Sequence, residues 1–204
     1  MDKLRIMPEK FIFASTISVY GENYFTEKYD EEYSPHPKSP YALTKFEAEN
    51  FLLNNFSKNS WILRFAPVYS DNFLLNINRR IKINKLFYRV GGGNKKLTLC
   101  NLENISTSIN AIISNRVPSG VMNISDRQYY TYNDLLSSQR AKNILFLPKI
   151  VLKLIYFFGK MFDINYLREN SIKLLTNNKY PSKKINRFIK LDKVLKPNNF
   201  STKK

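Results

Sequence analysis

Tyr41 and Lys45 lie four residues apart in the stretch Ser39–Lys45, and their side chains form the pair with the clearest potential for chemistry. Ser39 is suited to cap a helix and Pro40 to occupy its first position, so a helix is predicted to begin here. Residues four apart on a helix share one face, which brings the phenol and the ammonium group together. An ammonium group beside a phenol favours the phenolate, so the pair could act as an acid/base catalyst for a hydroxyl proton. The alternative is an ordinary pair of surface side chains, because this spacing also occurs by chance in many helices.

Two apolar segments flank this helix and are predicted to be buried strands. The first runs over residues 11–21 and carries hydroxyl side chains toward its end, among them Thr16 and Ser18. The second runs over residues 61–69. Short continuous apolar runs are typical of strands that are buried on both faces of a parallel sheet. Together these elements predict a parallel β-α-β unit of an α/β protein, with hydroxyl groups at the sheet edge where such folds bind ligands.

Three motifs in this order resemble the extended short-chain dehydrogenase/reductases, and among them the NAD-dependent epimerase/dehydratase family that acts on nucleotide sugars. The family's strand ending in Val-Tyr-Gly is similar to residues 19–21, and its Pro-Tyr-x-x-x-Lys motif is similar to residues 40–45. The family's Leu-Arg strand is similar to Leu63 and Arg64. The sequence Val-Tyr follows at residues 68–69. The resemblance implies a Rossmann-type α/β fold, with NAD or NADP as the cofactor.

The resemblance also implies roles for individual residues. Tyr41 would be the catalytic acid/base, and Lys45 would assist it and hold the nicotinamide ribose. Thr16 would hydrogen-bond the reacting sugar hydroxyl, with Ser18 beside it on the substrate side. The backbone at Phe65 and Ala66 would pass the nicotinamide.

The same resemblance assigns the substrate's diphosphate to a downstream segment. Lys95 and Lys96 fall where the family often places diphosphate-binding arginines, whereas Asn104 stands where many members have an aspartate. A 4,6-dehydratase is disfavoured, because the Asp-Glu pair of those enzymes is replaced here by Ile17 and Ser18. No metal-ligand motif accompanies these residues, so no metal is expected.

The family's glycine-rich dinucleotide turn has no counterpart in this sequence. That turn joins a strand to a helix whose N-terminus binds the pyrophosphate. The glycine cluster at residues 91–93 is predicted instead to be a loop. The expectation is therefore a truncated chain, with the C-terminal part of a Rossmann-type parallel sheet in residues 1–70. A small mixed α+β substrate lobe is expected in residues 71–196, and a disordered tail in residues 197–204.

Composition limits the location and the partners. The chain has 204 residues, a net charge of +17 and one cysteine, Cys100. A single cysteine excludes an internal disulfide, and no signal-peptide pattern is found, so a cytoplasmic location is expected. The charge attracts polyanions, but no nucleic-acid-binding motif accompanies it, so specific nucleic-acid binding is not expected. Residues 147–162 are the most apolar segment and are predicted to be a packed helix, with contact at a membrane surface as the minor alternative.

These observations predict a nucleotide-sugar epimerase or dehydrogenase/reductase that is inactive by itself. The expected partners are a nucleotide-sugar substrate and either a second copy in a homodimer or a complementing N-terminal fragment. The rival hypothesis outside catalysis is a non-catalytic remnant, or a basic interaction module on the same scaffold.

Overall fold

A parallel sheet of three strands is the framework of the computed structural model, which describes residues 8–196. The strands within this range are β1 (Phe11–Thr16), β2 (Ser60–Phe65), β3 (Val68–Tyr69), β4 (Lys82–Ile83), β5 (Leu86–Val90), β6 (Cys100–Asn101), β7 (Gly120–Ile124) and β8 (Leu145–Leu147). The α-helices are α1 (Pro40–Phe56), α2 (Leu75–Ile81), α3 (Leu102–Ile113), α4 (Tyr132–Ser138), α5 (Lys149–Met161) and α6 (Asn165–Leu175). Short 3₁₀-helices lie at Ile17–Tyr20, Ser57–Asn59 and Ile185–Arg187.

The framework sheet has the strand order β1-β2-β7, and both strand pairs are parallel. The helix α1 connects β1 to β2, which is the predicted β-α-β unit. Ser15, Arg64 and Asn123 are register partners, so one polar row crosses the sheet next to its carboxyl edge. The predicted α/β class and the parallel sheet are therefore confirmed.

Two smaller sheets follow the β-α-β unit in the chain. The strand β3 pairs with β6 in parallel, while β5 pairs antiparallel with β4 and parallel with β8. The second of these sheets is mixed, whereas the first is parallel. The division into residues 1–70 and 71–196 stays a prediction, and the tail at residues 197–204 lies outside the described residues.

The helix α1 begins where its capping residues predict. Ser39 Oγ accepts the backbone N–H of Ala42 at 3.3 Å, and proline occupies the first helical position. Such a cap satisfies one of the backbone donors that a helix N-terminus leaves without an intrahelical partner. The buried side of the helix consists of Ala42, Glu49 and Leu52. Because one of these buried residues carries a carboxylate, α1 is expected to contact the sheet through a polar interaction as well as through apolar packing.

Residues 72–86 alternate apolar and basic side chains in a pattern that predicts an amphipathic helix, but only part of this segment is helical. The helix α2 ends at Ile81, and β4 and β5 form a hairpin after it. Asn84 in the hairpin turn has a φ of 55°. Asparagine adopts this left-handed conformation more readily than most residues, which favours a tight turn at this point.

The helix α5 lies where the sequence predicts a helix, but it is not packed on all sides. Only Leu152 and Gly159 of this helix are buried. The helix α6, which the sequence analysis did not predict, packs against it. A Cβ atom at Gly159 would lie 2.9 Å from Leu167 Cβ, so the glycine permits this close approach. No helix in the described part of the chain is long and apolar enough to cross a bilayer.

Candidate functional site

Thr16 ends β1 and begins the 3₁₀-helix that follows. Its Oγ1 accepts the backbone N–H of Ser18 at 3.2 Å and donates to Ser18 Oγ at 3.3 Å. The side chain of Thr16 thus caps the short helix, which stops the strand at the carboxyl edge of the sheet. The two hydroxyl groups are therefore held next to each other where α/β sheets bind ligands.

Tyr41 and Lys45 project from the first turns of α1. Tyr41 is 59% exposed. Lys45 Nζ donates to the backbone oxygen of Ala14 in β1 at 3.0 Å and lies 4.9 Å from the ring centre of Phe13. The same nitrogen is 6.0 Å from the ring centre of Tyr41. The lysine therefore ties the helix to the strand and places its positive charge beside the tyrosine ring.

A buried ion pair fixes α1 against the sheet, one helical turn beyond the lysine. Arg64 Nη2 donates to Glu49 Oε2 at 2.6 Å, and the two side chains are 5% and 0% exposed. Ser15 Oγ donates to the other carboxylate oxygen of Glu49. The guanidinium group of Arg64 also lies 4.8 Å from the ring centre of Tyr20. Because this network joins α1 to both β1 and β2, it sets the position of the helix that carries the candidate catalytic pair.

Glu49 was not among the residues predicted from the sequence, although its spacing is a signal. Tyr41, Lys45 and Glu49 follow one another at four-residue spacing, which places all three on one side of α1. A carboxylate at this position precedes a strand whose otherwise apolar run contains Arg64. Buried charges need partners, so the arginine in that strand predicts an acidic residue nearby.

An open cleft of about 720 Å³ brings most of the predicted site residues together. Thr16, Ser18 and Tyr41 line it, and so do Phe65 and Ala66 at the end of β2. Lys45 makes the contacts with β1 described above and does not line the cleft. The residues that the sequence analysis assigned to the sugar and to the nicotinamide thus face one common space.

The same cleft has three cationic side chains in its wall. Arg79 and Arg80 come from α2 and Lys173 comes from α6, whereas Glu22 is the acidic residue among those that line the cleft. Arg80 Nε is buried and has no hydrogen-bond partner within residues 8–196. Guanidinium groups bind phosphate oxygens with particularly favourable geometry. The cleft is therefore suited to a ligand that combines hydroxyl groups with phosphate.

Lys95 and Lys96 are not in this cleft. Lys95 lines a separate cleft of about 430 Å³, together with Lys149 and Glu27. Lys95 Nζ is buried, without a hydrogen-bond partner in the described part of the chain. Burial and the positive charge of Lys149 lower the pKa of Lys95 to about 8. Lys96 is exposed, and its backbone N–H donates to Asn177 Oδ1 at 2.8 Å. The assignment of these two lysines to the substrate stays a prediction, and this placement does not support it.

Asp126 and Asn104 form a buried structural cluster outside the cleft. Asp126 Oδ2 accepts the hydroxyl groups of Tyr69 at 2.8 Å and Tyr130 at 2.6 Å. Asn104 Nδ2 donates to Asp126 Oδ1 at 2.8 Å. Burial raises the pKa of Asp126. An ionised aspartate at position 104 could not donate this hydrogen bond, which explains why asparagine fits here. Cys100 is also buried, as expected for a structural cysteine.

The residues present fit one end of a nicotinamide dinucleotide. Tyr41 and the backbone around Phe65 and Ala66 line the cleft where the nicotinamide is expected. The pyrophosphate end needs a glycine-rich connection from a strand to a helix N-terminus. The six glycines of the sequence are residues 21, 91, 92, 93, 120 and 159. None of them joins a strand directly to the start of an α-helix. Within residues 8–196, the glycines therefore do not form the strand-to-helix turn to which a pyrophosphate binds in such folds.

Comparisons with known proteins agree with these motifs. A model of the NAD dependent epimerase/dehydratase family matches residues 2–125. A search of curated protein sequences finds no match. Among solved structures, a UDP-glucuronic acid 4-epimerase from Bacillus cereus, solved in complex with NAD, is 26% identical with a TM-score of 0.56. The match covers 69% of this chain and 49% of that protein.

Two further solved structures show the fold alone, because their sequence identity is low. A UDP-glucose 4-epimerase from Thermotoga maritima is 23% identical with a TM-score of 0.50, over 69% of this chain and 50% of its own. A protein of unknown function from Silicibacter pomeroyi is 17% identical with a TM-score of 0.62. The match covers 92% of this chain and 62% of that protein. The match thus extends over about half of the two epimerases.

Proposed function

Because the chain belongs to the NAD-dependent epimerase/dehydratase family, we propose that it carries the sugar-handling side of the active site of a nucleotide-sugar epimerase or dehydrogenase/reductase. The observation that carries this proposal is the cleft that Thr16 and Tyr41 share with Arg79 and Arg80. The phenol can exchange a proton with a sugar hydroxyl, and the hydroxyl of Thr16 can hydrogen-bond the same sugar oxygen. The two arginines attract the diphosphate that links the sugar to its nucleoside.

In the proposed reaction, the Tyr41 phenolate takes the proton of a sugar hydroxyl, while the Thr16 hydroxyl holds the same oxygen. Lys45 stabilises the phenolate by its charge. A bound nicotinamide would supply the hydride acceptor and donor, next to Tyr41, Lys45 and the backbone at Phe65 and Ala66. The tyrosine returns the proton when the keto-sugar is reduced, so the same group serves as base and then as acid.

Elimination of water from the sugar is disfavoured at this site. A 4,6-dehydratase of the resembled type needs an acidic pair directly after the threonine. Here Ile17 is buried and Ser18 offers a hydroxyl group to the cleft. Neither side chain can exchange a proton near neutral pH, so epimerisation or simple oxidation and reduction is favoured.

Calorimetric titration with a nucleotide sugar tests the ligand class. UDP-glucuronic acid, which is bound in a structure of the Bacillus cereus 4-epimerase, is the probe. Arg79→Gln removes an exposed guanidinium group from the cleft wall and is expected to weaken binding about tenfold. Arg187→Gln is the matched control, because Arg187 is exposed and lies outside the cleft. Equal binding by the two variants would contradict the proposed diphosphate contact.

We further propose that the 204-residue chain does not bind NAD at micromolar concentration and is inactive by itself. Contacts at the nicotinamide end alone do not offset the entropy lost when a dinucleotide is captured. A second segment with a glycine-rich turn, supplied by another protein, would restore the pyrophosphate site. Titration of a monodisperse sample with NAD decides this point: micromolar affinity would show that another part of the chain binds the pyrophosphate.

A further inference from the structure

The outward face of α5 is apolar, which is unusual for a helix at a protein surface. Leu154 is 62% exposed, Phe157 61% and Met161 70%, and Ile150 and Phe158 are also exposed. The side that faces the protein contains the buried Leu152 and Gly159. The helix therefore directs its larger apolar side chains away from the body of the chain. Contiguous exposed apolar surface of this kind marks an interaction site.

The apolar face forms one stripe along the helix. Ile150, Leu154, Phe157 and Met161 follow at spacings of four, three and four residues, which keeps them on one side of an α-helix. The exposed strand β8 extends this surface before the helix, and Phe162 extends it after the helix. We use the name "α5 face" for these four residues and their exposed apolar neighbours in residues 144–146 and 162.

A row of lysines borders the α5 face. Lys149, Lys153 and Lys160 are exposed and lie at spacings of four and seven residues, so they form a second stripe beside the apolar one. None of the three forms a salt bridge with any described residue. An apolar stripe flanked by unneutralised lysines is the arrangement of helices that lie in the interface of an anionic bilayer.

The charge of the chain favours an anionic bilayer over a second copy of the chain as the partner of the α5 face. Each chain has a net charge of +17, so pairing two α5 faces would bring two strongly positive molecules together. An anionic bilayer instead attracts the lysines while its acyl boundary accepts the apolar side chains. The helix is too short to span a bilayer, which leaves an orientation parallel to the surface.

We propose that the chain binds the surface of an anionic lipid bilayer through the α5 face, with Leu154 and Phe157 inserted at the acyl boundary and Lys149, Lys153 and Lys160 on the headgroups. The contact is peripheral and reversible. It positions the chain at the membrane without making it an integral membrane protein.

Co-sedimentation with vesicles tests the proposal. The chain is expected to bind equimolar phosphatidylcholine and phosphatidylglycerol vesicles, and to bind pure phosphatidylcholine vesicles about tenfold more weakly or less. Leu154→Gln combined with Phe157→Gln should weaken binding to the mixed vesicles about tenfold or more. Lys153→Gln should weaken it about fivefold. The matched control is Phe25→Gln, because Phe25 is 92% exposed in a loop and should not insert.

The tryptophan introduced by Phe157→Trp reports insertion directly. Its emission should shift to shorter wavelength on the mixed vesicles and should be quenched by lipids with brominated acyl chains. Three results would overturn the proposal. The chain could fail to bind any vesicle, or the double variant could bind as tightly as the parent, which would mean attraction by net charge alone. Sedimentation equilibrium could instead show self-association that the double variant abolishes, which would assign the α5 face to a second copy.

Discussion

At the residue scale, the side chain of Tyr41 is exposed, while its backbone is held in the first turn of α1. Its hydroxyl group forms no hydrogen bond with another described residue, and the side chain opens to the cleft. The neighbouring Lys45, in contrast, is tied to the strand through Ala14. The lysine therefore has a structural contact as well as its proposed chemical role, whereas the phenol is available for a ligand.

Tyr41→Phe should separate chemistry from stability. The change removes only an exposed hydroxyl group, so the free energy of unfolding should stay within about 0.5 kcal/mol of the parent value. In a protein that joins this chain to a glycine-rich dinucleotide-binding segment, kcat should fall about 100-fold or more, because the proton acceptor is lost. Turnover is followed with the nucleotide sugar that titration identifies. Near-normal turnover in Tyr41→Phe would rule out the proposed role of the phenol.

Lys95 provides a prediction about pH at the same scale. Its pKa is lowered from the usual 10.5 to about 8 in the folded chain, so the unfolded chain binds this proton more tightly. The contribution of Lys95 to the free energy of unfolding therefore rises as the pH increases between these two values. At neutral pH the charged amine is buried without a partner, and Lys95→Met should stabilise the fold by about 1 kcal/mol.

Urea unfolding at neutral pH and near the upper end of this range measures the effect. The advantage of Lys95→Met over the parent should shrink at the higher pH, because the parent amine is then neutral in the folded chain. Lys96→Met is the control, since Lys96 is exposed and its removal should change little at either pH. A stabilisation that does not depend on pH would show that packing, and not charge burial, causes it.

At the scale of elements, the connection between α1 and the sheet depends on the buried pair of Glu49 and Arg64. Such a pair adds little net stability compared with apolar residues, but removing one partner leaves a buried charge without compensation. Glu49→Gln should therefore lower the free energy of unfolding by about 3–5 kcal/mol.

Chemical denaturation of three variants checks this effect. Glu47→Gln on the same helix is exposed and should stay within about 0.5 kcal/mol of the parent. Replacing both partners, as in Glu49→Gln with Arg64→Met, should recover part of the loss, because no charge is left buried alone. If Glu49→Gln is as stable as Glu47→Gln, the ion pair does not hold the helix.

Local signals were enough to predict some elements but not others. The capping serine and proline predicted α1, and continuous apolar runs predicted β1 and β2, because these features act within a few residues. The hairpin of β4 and β5 was missed, since its mixed sequence also suits an amphipathic helix. The outward face of α5 could not be predicted, because its direction is set by packing against α6.

Local sequence patterns likewise predicted the positions of some residues of the candidate site and not of others. Motifs predicted that Thr16 and Tyr41 lie near each other, because each lies at the end of a predicted element, and both line the cleft; their chemical roles stay a prediction. The position of Lys95 was not predictable, because the path of its loop depends on contacts such as that between Lys96 and Asn177, which are far apart in sequence. Glu49 needed a pairing between a helix and a strand that no local pattern expresses.

At the scale of the whole molecule, the proposed site and the α5 face belong to connected elements. Lys173 of α6 lines the cleft, and α6 packs against α5. A membrane-bound α5 would therefore hold the cleft close to the lipid surface. The strongly positive charge of the chain favours both the nucleotide diphosphate and the anionic bilayer, so higher ionic strength should weaken binding of both.

The strand order β1-β2-β7 also has a consequence for how the chain folds. The strands β1 and β2 are joined by residues 17–59, which contain α1, whereas β7 must pair with β2 across residues 66–119. The first connection is the shorter of the two and contains α1, whose contacts are local, so the β1-α1-β2 unit is expected to form first and β7 to add later. Leu52→Ala in α1 should then mainly slow folding, and Met122→Ala in β7 should mainly accelerate unfolding. Stopped-flow measurements over a range of urea concentrations compare the two; equal slowing of folding would mean that β7 is already in place at the transition state.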